Sequence, residues 1–116
     1  MPGKQKAFGD MLRERSAEVP ARLRANAEAV AKEIVETLYQ RCRAAASAAA
    51  ASGGKTAVVK TRPPNTIKEY VSEKIVLDRV IRLLKKDRVK ASWKRTFMRN
   101  GSAETGIPEI TFTIEW

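Results

Sequence analysis

The sequence predicts an α+β fold: a long N-terminal helix, a short strand, a helical segment and a C-terminal antiparallel hairpin. Three observations carry that expectation. Apolar residues recur at helical spacing from Leu23 to Cys42 and again from Ile67 to Leu84, and they alternate with polar residues in two runs near the C-terminus. At 116 residues with 43% hydrophobic content, the chain has the size of one domain with a modest core.

Residues 1–19 read as a basic N-terminal extension with a short helix, and residues 20–116 as a single α+β domain. Within the extension, Asp10 is placed to cap a helix carrying Phe8, Met11 and Leu12 and ending near Glu18. Pro20, with its fixed φ and missing N–H, suits the first turn of a new helix better than a helix interior. From there Leu23, Ala27, Val30, Ile34, Leu38 and Cys42 fall on one side, widened by Ala31 and Val35. The alanine-rich tract from Ala44 extends the helix to a stop at Gly53-Gly54. Two readings of the tract stand: a frayed end or a close-packed contact.

Lys55–Lys60 is a short β-type run, and Thr61–Asn65 is a turn whose prolines forbid both helix and ladder donation. Thr66 with Glu69 has the spacing of a capping box opening the stretch from Thr66 to Val89. That stretch carries two apolar stripes. Ile67, Tyr70, Val71 and Ile75 form one, and Val76, Leu77, Val80, Leu83 and Leu84 form another roughly 145° away at ~100° per residue. A break near Ile75–Leu77 lets both stripes face one core, as a helix-turn-helix does; an unbroken helix would need burial on every side. After it, Val89, Ala91, Trp93 and Phe97 alternate with Lys90, Ser92, Lys94 and Thr96, and Ile110, Phe112, Ile114 and Trp116 alternate with Thr111, Thr113 and Glu115. These are the strands of an antiparallel hairpin, 89–97 with 110–116, each with one apolar face. Trp93 and Trp116 are expected in the core beneath that face, away from the basic surface where a base-stacking platform would lie. Asn100-Gly101 suits a tight reversal in the connection.

Helix, short strand, helix, helix, strand, strand is the element order of winged helix-turn-helix domains. From about Pro20 to Trp116 the chain resembles that family in TIKEYVSEK followed by LDRVIRLLKKDRVKAS: a capped helix, a second helix ending in a basic turn, then a strand opening a hairpin. The resemblance is winged-helix-like at the level of fold, and it implies a recognition helix and a hairpin wing.

Composition narrows the function classes. The chain has no histidine and one cysteine, Cys42, so neither a His general base nor a Cys/His zinc site is expected, and no cofactor is. Cys42 lies on an apolar stripe and reads as a buried thiol. The carboxylates are dispersed beside Lys and Arg, as solvated helix-face partners, and no enzymatic pair is expected. Gly53-Gly54-Lys55-Thr56 has the end of a phosphate-binding loop, but Ala49 stands where that loop needs its first glycine, so a helix cap is the reading taken. No apolar run approaches the ~18 residues that span a bilayer, and the start of the chain lacks a signal-peptide core. An intracellular protein, cytoplasmic or nuclear, is the expectation.

Charge placement is the most informative signal. The chain carries a net +10, and residues 55–99 hold 14 Lys or Arg against 4 Asp or Glu. Such an excess points to a polyanionic partner. The expected function is a basic nucleic-acid-binding module for duplex DNA or structured RNA. Its candidate binding residues are Arg79, Arg82, Lys85 and Lys86 on the second helix, Lys90 and Lys94 on the wet face of the hairpin, and Arg99 at its tip. The alternative is a small assembly subunit of a larger particle, a capsid or ribonucleoprotein, packing through the long Ala-rich helix; self-association through Leu23–Cys42 and the alanine tract is expected. A peripheral membrane role fits worst, because no basic helix sets aromatic residues opposite its charge.

Overall fold

The computed structural model describes residues 7–98 and 106–116. The elements run α1 (Phe8–Ala51), β1 (Thr56–Thr61), α2 (Glu73–Lys86), β2 (Lys90–Met98) and β3 (Ile107–Glu115). This is an α+β architecture: two helices lie on one face of a three-stranded antiparallel sheet of order β1-β3-β2.

The most apolar strand takes the centre. On β3, Ile110, Phe112 and Ile114 are at most 1% exposed. They sit in register between Val59 and Trp93 at Phe112, and between Ala57 and Ala91 at Ile114. The hairpin expected from the two alternating runs is therefore present as β2 and β3, and the short strand completes the sheet on the other side. Helices cover the face that these residues share. Among the described residues no helix covers the opposite face, which carries Val58, Lys60, Ser92, Lys94, Thr96 and Thr113, with Thr111 buried between Lys60 and Lys94. Two expected core aromatics lie outside the covered area: Phe97 is 63% and Trp116 40% exposed. Both sit at ends of the hairpin that the helices do not reach. Trp93, midway, packs against the core with its indole N–H donating to Asp78 at 2.9 Å.

Helix α1 differs from expectation at its start. It is one helix of 44 residues that runs through Pro20, where a boundary was expected. Proline removes one backbone hydrogen bond, to the carbonyl of residue 16, and Ser16 is exposed, so water can satisfy that oxygen. Asp10 is not the cap. The cap position is Ala7, without a side-chain bond, and Asp10 lies in the first turn paired with Arg13 at 2.7 Å. There its charge complements the helix dipole. At the other end the two glycines act as expected. Gly53 adopts φ +84, and Gly54 N–H donates to the Ala49 carbonyl at 2.8 Å, so close that a Cβ on Gly54 would meet the same oxygen at 3.0 Å. The alanine tract is a packed contact: Ala45, Ala46 and Ala49 lie against the core, where small side chains let the helix approach the sheet.

Only the later part of α1 is in the body. Ala27, Ala31, Val35, Leu38 and Cys42 are buried, which corrects the expectation that the Leu23–Cys42 stripe serves self-association: most of it is the chain's own core. Before Ala27 every described residue is exposed. The helix projects, and the molecule measures 76 × 39 × 16 Å.

The segment from Thr66 is broken, but not where the stripes meet. Thr66 and Glu69 form no capping box. Thr66 N–H donates to the Pro64 carbonyl at 3.1 Å, and one turn follows, with Tyr70 and Val71 N–H bonded to Ile67 O at 3.1 and 3.0 Å. Ser72 then takes an extended conformation and accepts from Ile75 N–H at 3.3 Å, capping α2. A serine with a free N–H three residues on is the stronger local signal. The break at Ser72 leaves Ile75 out of the first stripe and 43% exposed. It also replaces the first helix of the expected helix-turn-helix by a single turn. The purpose of the break is nevertheless met, since Val71 from one side and Val76, Leu77, Val80, Ile81 and Leu84 from the other all reach one core. Among the described residues, no helix is long and apolar enough to cross a membrane.

Candidate nucleic-acid interface

The basic residues of α2 are sorted by its burial. With Val76, Val80 and Leu84 inward, the helical period turns Lys74, Asp78, Arg82, Lys85 and Lys86 outward, and all five are exposed. None of Lys74, Arg82, Lys85 and Lys86 has a hydrogen-bond or ion-pair partner among the described residues. Lys85 and Lys86 fall in the last turn, where the helix dipole favours positive charge. Beyond them Asp87 caps the helix and Arg88 closes it at φ 62, an uncommon conformation for a side chain with a Cβ.

Arg79 was expected on this face and is held to its side. Its guanidinium donates to both carboxylate oxygens of Glu28, at 3.1 and 3.3 Å, tying α2 to α1. The hydrogen bond from Arg79 holds the Glu28 carboxyl below its usual range. Two further contacts fix the helix. Arg95 on β2 pairs with Glu73 in its first turn, and Tyr39 on α1 donates its hydroxyl to Asp87 at its end. That bond pushes the Tyr39 phenol up from its usual value. The side chains around α2 that could compete for a ligand are thus engaged in orienting it.

Lys90 and Lys94 lie elsewhere. They belong to the open face of the sheet, Lys90 across from Glu115 and Lys94 across from Thr111, while α2 covers the other face. Lys60 on β1 stands across Thr111 from Lys94, so that face has its own pair of cations. The expected set therefore splits into Arg82, Lys85 and Lys86 on the helix and Lys90 and Lys94 on the sheet, with Arg79 withdrawn. Arg99 lies outside the described residues.

The sequence reading missed Lys74, Arg88 and Trp116. Lys74 shares the outward face of α2, which the 3.6-residue period shows once the helix start is placed at Glu73. Trp116 lines an open groove of about 340 Å³ with Arg88, Val89, Lys90 and Glu115. An exposed indole beside cations is the arrangement of a stacking platform, so the expectation that neither tryptophan neighbours basic residues fails for Trp116. Among the described residues, no three His, Cys, Asp or Glu are grouped as a metal site. No protein-family model, curated protein or solved structure matches the chain.

Proposed function

We propose that the protein is a nucleic-acid-binding module that lays the outward face of α2 against a phosphate backbone. In this winged-helix-like reading α2 takes the place of the recognition helix and the β2–β3 hairpin that of the wing. The observation that carries it is the contrast around α2: Arg79 and Arg95 are neutralised by Glu28 and Glu73, while Arg82, Lys85 and Lys86 are exposed on one face and have no partner among the described residues. Cations left without a partner on one helix face of a chain of net charge +10 favour a polyanion by releasing its counterions. The groove of Arg88, Lys90 and Trp116 follows α2 in the chain and offers a separate basic site with a ring on which a base can stack.

The test is a titration of duplex DNA, duplex RNA and single strands over a range of salt. Wild type is expected to bind at low salt with a steep dependence on ionic strength. The variant with Arg82, Lys85 and Lys86 all replaced by Ala should lose about 0.9 in the slope of log K against log salt for each contact, ~2.7 in all. Its core is untouched, because those three side chains are exposed. Unchanged affinity in the variant would make the face a solvated one. No binding by wild type at low salt would leave the second reading, a small assembly subunit of a capsid or ribonucleoprotein. One observation favours that reading, the projecting apolar start of α1.

A further inference from the structure

The sheet presents cations on the side that α2 does not cover. At the centre of that face the register lines up Lys60, Thr111 and Lys94 in one row across β1, β3 and β2, and Val58, Thr113 and Ser92 in the next. Both lysines are exposed, and neither ammonium has a hydrogen-bond or ion-pair partner among the described residues. Thr111 between them is 7% exposed, and its hydroxyl lies 3.3 Å from that of Thr96. The carboxylates of the face stand toward its two ends: Glu115 across from Lys90, and Glu109 across from Thr96. Strands about 4.8 Å apart set Lys60 and Lys94 roughly 10 Å from each other, with no acid in their row. Two like charges in one row repel, and an anion laid over Thr111 relieves that repulsion. Lysine ammoniums and Ser or Thr hydroxyls are common ligands of phosphate oxygens.

This row and the basic face of α2 look in opposite directions. The buried stripe of α2 runs from Val76 to Leu84 and turns toward the core. At ~100° per residue, Arg82 lies about 170° and Lys86 about 150° from the centre of that stripe. A helix about 10–12 Å across, with the sheet beneath it, therefore separates the two sets of cations. One duplex cannot reach both, because folding back round so thin a body is far tighter than a persistence length of about 50 nm allows at small cost. We propose that the chain bridges two duplex nucleic-acid segments on opposite sides, one on Arg82, Lys85 and Lys86 and the other on the Lys60–Lys94 row. The inference rests on the reading of α2 as a nucleic-acid contact and adds a second contact to it. Three cations on the helix against two in the row make the helix the tighter site, so the sheet takes its segment second.

A bead-borne duplex and a short fluorescent duplex, mixed with the full chain at low salt, test this, with DNA and RNA in separate arms. Anisotropy of the fluorescent duplex alone, run beside it, reads binding to a single segment. Wild type is expected to carry the fluorescent duplex onto the beads. Two phosphate contacts add about 1.8 to the salt slope, so bridging should fall roughly 12-fold more than single-duplex binding between 50 and 200 mM salt. Lys60→Thr with Lys94→Thr keeps residues suited to strands; with its thermal melt retained, it should bind the single duplex within about twofold of wild type and lose most of the bridging. Lys60→Gln with Lys94→Gln, which keeps side-chain length and removes the charge, should do the same. Wild type that binds one duplex without bridging overturns this inference and leaves the role of α2 standing, whereas wild type that binds no duplex overturns both. Bridging that survives both lysine variants also overturns it, since the second contact then lies elsewhere or on a second copy of the chain. So does loss of single-duplex binding in those variants, which would make the sheet the first contact.

Discussion

Replacing Arg79 by Ala separates two accounts of the basic helix, because sequence and structure assign that arginine different work. By spacing alone Arg79, Arg82 and Lys86 share a face and should contribute alike to a polyanion. In the folded chain Arg79 commits its guanidinium to both oxygens of Glu28, and Arg82, Lys85 and Lys86 have no such partner. Each cation that neutralises a phosphate adds about 0.9 to the slope of log K against log salt, so between 50 and 200 mM salt it accounts for roughly a 3.5-fold loss of affinity. Arg82→Ala should therefore remove about 0.9 from the slope. Arg79→Ala should leave the slope within error of wild type, since its charge is already balanced. The reciprocal change is the sharper test. Glu28→Gln deletes the balancing carboxylate, releases Arg79 at the edge of the same face, and should steepen the slope by up to about 0.9. Fluorescence anisotropy with a labelled duplex at four or five salt concentrations reads all three variants. If Arg79→Ala flattens the slope as much as Arg82→Ala, or Glu28→Gln leaves it unchanged, the Glu28 pair does not withhold Arg79 and the division of the helix into engaged and available cations is wrong.

Two further outcomes concern stability. Phe112→Ala removes the largest fully buried side chain, at the middle of the central strand; a loss of about 3–5 kcal/mol from a total of roughly 5–15 kcal/mol should appear as a large fall in the urea midpoint, and a change below ~1 kcal/mol would contradict the core as described. Burial pushes the Cys42 thiol up to about 11 from its usual 9.0; a raised folded value means the contribution of the neutral thiol is complete below pH 9 and is lost as pH rises toward 11, so wild type should lose stability over that window more steeply than Cys42→Ala, and parallel pH curves would refute it.

The parts of the fold legible in the sequence are those where a single element sets its own pattern. The stripe Val76, Val80, Leu84 and the alternation Ile110, Phe112, Ile114 each announce a buried face, and each is buried. What is not legible depends on competition between nearby signals or on contacts distant in sequence. Thr66–Glu69 and Ser72 both offer a helix start; Ser72 prevails because the turn before it is already committed through Pro64 and Ile67. Pro20 reads as a boundary because proline normally ends a helix, and it fails as one because exposure of Ser16 removes the penalty that a buried carbonyl would impose.

The candidate site shows the same division more sharply. A helix period identifies which residues of α2 point outward, and Arg82, Lys85 and Lys86 were found that way. It cannot reveal that a carboxylate 51 positions earlier meets Arg79, because that depends on where α1 lies once Ala27, Ala31 and Val35 are packed. Nor can it reveal that Lys90 and Lys94 belong to another surface, because that depends on which face of the sheet the helices cover. Net charge, then, is a property of the sequence, but an electrostatic site is a property of which charges the fold has already paired. The same reasoning applies along α1. Leu23 and Leu38 sit on one sequence stripe, and only the packing of α1 shows that the second is buried in the core while the first is 44% exposed.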